Sequence, residues 1–235
     1  MISFIVPAYN EEQCLAVTLD ALHAAGMALG EAYEVILADD GSTDQTAGIG
    51  AQKGAVVVSA VHRQIAATRN SGARAATGDC LIFVDADTVV NVEVVRAAVQ
   101  AMRAGATGGG AGLLFDEPVP PFARFLLRVV VRVFRATGFA TGCFLFCTRS
   151  AFNAVGGFDE TYFGAEEIVM SRALKRIGRF VILRQIVTTS ARKLRTYSVG
   201  EQMMFMARMA LRGTRALKQR KGMDFWYAER RPDKR

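Results

Sequence analysis

The sequence is poor in the residues that form several common kinds of active site. It has two histidines, His23 and His62, which lie far apart and so argue against a histidine-based metal centre or a Ser-His-Asp triad. Its four cysteines form no Cys-x-x-Cys pair. We interpret them as small hydrophobic residues that are buried in a protein of a reducing compartment.

The sequence also lacks the segments that cross a membrane or direct export. No uncharged apolar run reaches the roughly 18 to 20 residues that a membrane-spanning helix needs. The chain passes from Met1 directly into the strand-like residues 2–6, without a basic leader region. We therefore expect a globular cytoplasmic protein, and 51% hydrophobic residues in a chain of 235 are enough for a full core.

Charge is distributed unevenly along the chain. Residues 1–118 contain six Lys/Arg and 14 Asp/Glu, whereas residues 119–235 contain 23 Lys/Arg and eight Asp/Glu. An acidic half suits a bound cation, and a basic half suits phosphates, an anionic acceptor or a membrane surface. The composition thus predicts different tasks for the two halves.

Two aspartates end the most informative strand of the acidic half. Residues 81–84 are all apolar, which predicts a strand that is buried on both faces. Asp85 and Asp87 should therefore emerge at its carboxyl end, where open α/β sheets bind ligands. Mg²⁺ commonly binds one or two carboxylates together with substrate phosphates, so the pair indicates a metal-bound diphosphate. Asp-x-Asp also occurs in turns and as a helix cap, and that interpretation stays open.

Short apolar strands alternate with helices through this half, which predicts a mainly parallel sheet with right-handed crossovers. Neither common glycine-rich phosphate loop, GxGxxG or GxxxxGK[ST], is present, so a nucleotide must be held in another way. The predicted strands comprise residues 2–6, stopped by Pro7, then residues 33–38, 55–61, 81–84 and 108–114. The predicted helices are one that carries Leu15, Leu19 and Leu22, then residues 64–76 and residues 91–103.

A second pair of carboxylates follows the second predicted strand. A turn and a helix cap explain Gly41 and Asp44 in this loop. They do not explain Asp39 and Asp40, which should lie at the same edge of the sheet as Asp85.

Four motifs, in a fixed order and at characteristic separations, point to a known family. They are Pro7-Ala8-Tyr9-Asn10-Glu11-Glu12, Asp39-Asp40-Gly41-Ser42-Thr43-Asp44, Arg69-Asn70-x-Gly72-Ala73-Arg74 and Asp85-Ala86-Asp87. Together they resemble the family 2 glycosyltransferases of the GT-A fold. The resemblance implies a Rossmann-like α/β single domain with a mainly parallel mixed sheet flanked by helices. It also implies an inverting transferase that uses a nucleotide diphosphate sugar and Mg²⁺ or Mn²⁺.

The same resemblance implies roles for individual residues on the donor side. Asp87, with Asp85 close by, is the implied metal ligand. The residues implied to bind the nucleotide sugar are Pro7, Ala8, Tyr9, Glu11, Asp39, Asp40, Arg69 and Asp85.

On the acceptor side, the resemblance extends to the run Gly156-Gly157-Phe158-Asp159-Glu160 and to an acidic pair. The second acidic residue of that pair is implied to be the general base. The family usually has Glu-Asp, and here the pair is Glu166-Glu167, which keeps the carboxylate and lengthens its arm by a methylene. An acidic first turn that is stabilised by a helix dipole also explains Glu166, and explains Glu167 less well.

The basic half contains two segments with helical stripes of arginine. In residues 122–135 the arginines are Arg124, Arg128, Arg132 and Arg135, and residues 203–221 repeat the pattern. Such helices either pack with their arginines on a phosphate-lined groove, lie in a membrane interface, or form a buried helix with a paired arginine edge. Between the predicted domain and the second segment, residues 190–195 offer cations that could reach a diphosphate.

The predicted division is a donor half (residues 1–118), an acceptor-side half of the same domain (119–190) and a basic amphipathic extension (191–235). We predict transfer of one sugar per encounter from a UDP-sugar, with GDP-mannose next, to a hydroxyl of a lipid-linked or membrane-proximal acceptor. The protein would be cytoplasmic or peripheral at the inner face of the membrane.

Three alternatives remain at this stage. A sugar nucleotidyltransferase would carry a glycine-rich loop with a lysine after its first strand, which this chain lacks. A nonenzymatic nucleotide-binding or membrane-surface adaptor would bind a donor without consuming it. A nucleic-acid binder is disfavoured by a single tryptophan and by arginines that are striped along apolar helices.

Overall fold

A computed structural model of the chain describes residues 1–116, residues 138–192 and Lys218. The strands are β1 (Ile2–Ala8), β2 (Tyr33–Asp39), β3 (Val56–Ser59), β4 (Cys80–Val84), β5 (Thr88–Val89), β6 (Ala106–Phe115), β7 (Phe144–Thr148) and β8 (Arg179–Thr189). The helices are α1 (Leu15–Leu29), α2 (Thr46–Gln52), α3 (Ile65–Ala75), α4 (Val92–Arg103), α5 (Arg149–Val155) and α6 (Glu166–Ile177). All these strands join one sheet in the order β3-β2-β1-β4-β7-β6-β8-β5.

The sheet is mixed and mainly parallel, as expected. Strands β3, β2, β1 and β4 are mutually parallel. Strand β7 is antiparallel to both β4 and β6, and β8 is parallel to β6. Consequently the carboxyl ends of β1, β2, β4, β6 and β8 all lie at one edge of the sheet.

Apolar layers cover both faces of the sheet. Helices α1 and α4 pack on one face, and α3, α5 and α6 pack on the other. Strand β4 contributes Ile82 and Val84 to the first layer and Leu81 and Phe83 to the second, each at most 1% exposed. This confirms the prediction of a strand that is buried on both faces.

One glycine shows how closely α3 approaches the sheet. A Cβ atom on Gly72 would lie 2.6 Å from Ile5 Cγ2 on β1. The glycine of the Arg69-Asn70-x-Gly72 motif therefore lets the helix that carries Arg69 lie directly on the central strands.

The prediction that Pro7 ends the first strand is wrong. Strand β1 continues through Pro7, opposite Ala38 of β2, to Ala8. The pairing of β1 with β4 ends earlier, at Ile5. Because only one neighbour remains beyond Ile5, the missing N–H of proline is tolerated there.

Strand β8 was not expected, because its sequence shows no clean alternation. Only Leu183, Val187 and Thr189 are buried, and its pairing with β6 contains an irregularity between Gly110 and Gly112.

The two arginine-striped segments lie outside the described residues, apart from Lys218, whose ammonium lies 4.7 Å from the ring centroid of Tyr162. No helix within residues 1–116 and 138–192 is both long and apolar enough to cross a membrane. The division at residues 118 and 190 stays a prediction.

Candidate functional site

The candidate site lies at the carboxyl edge of the sheet. The loops after β1 and β4 bring Glu11 and Asp85 to this edge, where β2 ends at Asp39. The residues that follow β8 bring Arg192. The first turn of α6 adds Glu166 and Glu167 from the acceptor side.

Arg69 connects the predicted donor and acceptor sides. Its side chain is 2% exposed. Nη1 donates to Glu166 Oε1 at 2.6 Å, and Nη2 donates to Asp85 Oδ1 and to the carbonyl of Gly142, each at 2.8 Å. Burial by itself would lower the pKa of this guanidinium, but the neighbouring carboxylates, Asp85 first, raise the pKa above its ordinary value. A permanently charged group thus joins β4, the turn before β7 and α6.

Two further side chains of the α3 region hold the predicted acceptor loop. Gln64 Nε2 donates to the carbonyls of Glu160 and Tyr162 at 2.7 and 2.8 Å. Asn70 Nδ2 donates to the carbonyl of Phe158, and its Oδ1 accepts from the amide of Phe158, both at 2.9 Å. The two side-chain amides therefore form the hydrogen bonds that backbone groups of the loop before α6 would otherwise need from another backbone segment.

Glu166 and Glu167 have different environments although they are adjacent. Glu166 is 4% exposed and bonded to Arg69. Glu167 is partly buried, and its Cδ would lie 3.6 Å from a Cβ placed on Gly142. Burial first, and then the charge of Glu166, raise the pKa of Glu167 to about 8, while Arg69 opposes the shift. A carboxyl with a pKa near neutrality is suited to accept a proton.

Asp85 and Asp87 flank the turn after β4. Asp85 accepts from Arg69, and Asp87 Oδ1 lies 3.5 Å from Thr189 Oγ1 on β8. Among the described residues, no group of three or more His, Cys, Asp or Glu side chains is placed to hold a metal ion. Two hard carboxylate ligands fit a divalent cation that takes its other ligands from a diphosphate and water. Asp87 is the first ligand to test, since Asp85 already bonds Arg69.

Asp39 and Asp40 are both buried, but their partners differ. Asp40 accepts hydrogen bonds from the backbone amides of His62 and Arg63 at 2.6 and 2.8 Å and from that of Gln64 at 3.1 Å. This carboxylate fixes the turn that leads into α3. Asp39 accepts only longer bonds, 3.3 and 3.4 Å, from the amide of Ser42. A role of either residue in nucleoside binding stays a prediction.

The loop after β1 carries the remaining predicted residues. Pro7 and Ala8 are buried within β1 itself. The guanidinium of Arg63 stacks on the ring of Tyr9, 3.5 Å from its centroid. Glu11 is 4% exposed and pairs with Arg192.

The sequence analysis did not place Arg63 in the site. It named Arg192 only as one of the cations within residues 190–195 that could reach a diphosphate, and it did not predict the pair with Glu11.

A model of the family "Glycosyl transferase family 2" matches residues 3–156. An undecaprenyl-phosphate 4-deoxy-4-formamido-L-arabinose transferase of Pseudomonas aeruginosa is 31% identical over 157 residues, which cover 62% of this chain and 46% of the relative. The chain therefore spans less than half the length of that relative.

Solved structures show the same fold. A mannosyltransferase, PcManGT from Pyrobaculum calidifontis in complex with GDP-Man and Mn²⁺, has a TM-score of 0.68 at 19% identity, covering 96% of this chain and 66% of that one. S. aureus TarS 1-349 in complex with UDP-GlcNAc has a TM-score of 0.63 at 20% identity, covering 89% and 65%. The expected GT-A fold is thereby confirmed. From the family model and this fold, we conclude that the chain belongs to glycosyl transferase family 2.

Proposed function

We propose that this protein is a metal-dependent, inverting glycosyltransferase that moves one sugar from a nucleotide diphosphate sugar to an acceptor hydroxyl. The observation that carries the proposal is the double ion pair of Arg69 with Asp85 and Glu166. It holds a carboxylate of the candidate donor site and Glu166, the first residue of the acidic pair, on one guanidinium, which supports a common place for both substrates.

On the donor side, the bond between the sugar C1 and the diphosphate oxygen breaks, and negative charge grows on the leaving group. Asp87, with Asp85 beside it, would hold a divalent cation. That cation supplies Lewis-acid neutralisation of the departing diphosphate when it is bound. Arg69 keeps the Asp85 carboxylate in one orientation for this task.

On the acceptor side, Glu167 removes the proton of the acceptor hydroxyl. The freed oxygen attacks C1 on the face opposite the leaving group, through a transition state with oxocarbenium character. The configuration at C1 is thereby inverted. Glu166 cannot serve in the same way, because its carboxylate is buried against Arg69.

The names of the relatives support particular candidates for the donor and the acceptor. The structural relatives contain GDP-Man and UDP-GlcNAc, so we keep a UDP-sugar as the first candidate and GDP-mannose as the second. The name of the P. aeruginosa relative contains undecaprenyl phosphate, which favours a lipid-linked acceptor. Peripheral attachment of a cytoplasmic protein to the membrane, through residues 122–135 and 203–221, belongs to the same proposal.

A phosphate acceptor is the second candidate, favoured by that relative's name. A phosphate monoester is already largely ionised at neutral pH, so it needs no base. The two adjacent carboxylates of α6 would also repel it. A hydroxyl acceptor therefore fits Glu167 better, and a Glu167→Gln variant that retains full activity would favour the phosphate.

The proposal is tested first by thermal melting of the purified chain with UDP, GDP, CDP and dTDP, each with and without Mn²⁺ or Mg²⁺. A nucleotide at roughly 100 times its dissociation constant should stabilise the fold by about 2.7 kcal/mol. Stabilisation by one nucleotide only in the presence of metal supports the donor site. Donor hydrolysis, and transfer to an acceptor extract, then separate an enzyme from a nonenzymatic binding protein.

A further inference from the structure

Arg192 is fixed beside the candidate metal ligand by the backbone that precedes it. The amide of Ser190 donates to the carbonyl of Asp87 at 3.1 Å, and the amide of Ala191 donates to Asp116 Oδ1 at 2.9 Å. The amide of Arg192 donates to Ser190 Oγ at 3.2 Å. These bonds hold the chain after β8 against the carboxyl edge of the sheet.

The side chain of Arg192 reaches across this edge to the loop after β1. Its Nη2 donates to Glu11 Oε2 in a pair whose members are 9% and 4% exposed. Burial by itself would lower the pKa of the guanidinium, but the charge and the hydrogen bond of Glu11, and then the charge of Asp87, raise it. The guanidinium therefore stays charged, between the predicted nucleoside loop and the predicted metal carboxylate.

Stabilisation of the fold does not by itself explain why a buried ion pair lies at this place. Removing two charges from water costs about as much as their attraction returns, so well-packed apolar residues often stabilise a fold equally well. A guanidinium has a further use at this edge, because its planar fork of N–H donors matches phosphate oxygens.

We propose that Arg192 is a donor-binding residue that contacts the diphosphate of the nucleotide sugar, and that Glu11 holds its guanidinium in place before the donor arrives. This inference rests on the proposed function. When the donor binds, Nη2 stays on Glu11, and N–H groups of the guanidinium that Glu11 does not use donate to phosphate oxygens. Both members of the buried ion pair thus keep a partner, and the guanidinium lies opposite the charge that grows on the leaving group.

The test compares the affinities of the full chain and of Arg192→Gln for a nucleoside diphosphate and for the matching nucleoside, measured by calorimetry in Mn²⁺. UDP with uridine and GDP with guanosine are the two probe pairs. In the variant, the affinity for the diphosphate should fall by about tenfold or more, the usual effect of losing a hydrogen bond between charged groups. The affinity for the nucleoside should stay the same. Arg176→Gln, an exposed arginine on α6, is the matched control and should change neither affinity.

Other results of this binding experiment would overturn either the proposed function or the role of Arg192 alone. If the wild type binds neither UDP nor GDP, and the thermal-melting screen shows no binding of CDP or dTDP either, the proposed function fails and this inference falls with it. If the wild type binds and Arg192→Gln keeps the same affinity, or loses nucleoside affinity by the same factor, only the role of Arg192 is overturned.

Arg192→Lys serves if the glutamine variant does not fold, since it keeps a cation opposite Glu11. It lacks the planar fork and should show a smaller selective loss of diphosphate affinity. Equal affinities of Arg192→Lys and wild type would overturn the inference.

Discussion

At the scale of single residues, Glu166 and Glu167 have identical side chains but different surroundings, and therefore different chemical properties. Glu166 is bonded to a buried arginine, so its carboxylate is already occupied by an ion pair. Glu167, one position later, is held beside the backbone of Gly142 with the charge of Glu166 close by. Its raised pKa gives two predictions.

The first prediction concerns the rate of sugar transfer. Glu167→Gln should lower kcat by about 10² to 10⁴, the usual contribution of a general base, with little change in donor affinity. In the wild type, kcat/KM should rise with pH and level off above about pH 8, because only the deprotonated carboxylate accepts the proton. Steady-state kinetics across pH measure both effects.

Two variants sharpen this experiment. Glu167→Asp restores the acidic pair that is usual in the family and should retain part of the activity. Glu93→Gln, which changes another glutamate in the first turn of a helix, is the matched control. A rate that is independent of pH near 8 would contradict the assignment of Glu167 as the base.

The second prediction concerns stability. The pKa of Glu167 rises from 4.5 to about 8 on folding, so between these pH values the folded chain binds more protons than the unfolded chain. The free energy of unfolding therefore falls as pH rises through this window, and the loss is complete above pH 8. Glu167→Gln has no charge to desolvate and should melt at a higher temperature than wild type at about pH 8 and above.

Near pH 4.5 the wild type and this variant should melt alike, since the native carboxyl is then protonated. Melting curves at several pH values would show the difference growing with pH. A constant difference would mean that Glu167 affects the fold through packing and not through its charge.

At the scale of elements, α3 organises the site. It begins after Gln64, which accepts from the amide of Ala67 as its N-cap, and Gly72 lets it lie on β1. From this fixed position Arg69 reaches Asp85 and Glu166, and Asn70 reaches the loop before α6. The Arg69-Asn70 motif thus has a structural role that involves no ligand: it connects the predicted donor half of the sheet to the predicted acceptor side.

This coupling gives a prediction for Asn70→Ala. The amide and carbonyl of Phe158 would lose their partners, so the free energy of unfolding should fall by about 1 to 3 kcal/mol. Because the loop before α6 then moves more freely, KM for the acceptor should rise more than KM for the donor. Arg74→Ala, at an exposed position of the same helix, should affect neither. Equal changes in both KM values would argue against a specific link to the acceptor side.

At the scale of the whole molecule, the strand order gathers carboxylates from three strand ends at one edge. Asp87→Asn tests what that edge binds. The variant should lose the stabilisation that a nucleotide with Mn²⁺ gives in thermal melting, because the carboxylate that would hold the cation has lost its charge. Asp20→Asn, which changes an exposed aspartate paired with Lys53, should keep the full effect. Metal-dependent stabilisation of Asp87→Asn equal to that of wild type would exclude Asp87 as a ligand.

Local patterns predicted most of the fold, and they named most of the residues that the structure brings to the candidate site. Apolar runs located β1, β2 and β4, since a strand that is buried on both faces is apolar at every position. Gln64 and Asn91 mark the starts of α3 and α4 through side-chain caps. Strand β8 was not predicted because it is mostly half-buried and irregularly paired, so its sequence shows no regular alternation of apolar and polar residues.

The sequence by itself determined which residues end the strands, that those residues are acidic, and to which family their order belongs. Local periodicity and motif spacing carry that information. Only the tertiary structure decided which charges meet. Arg69 and Glu166 are 97 positions apart, and Glu11 and Arg192 are 181 apart. Such pairs depend on the order of strands in the sheet and on helix packing, and neither is encoded in the spacing of residues along one segment.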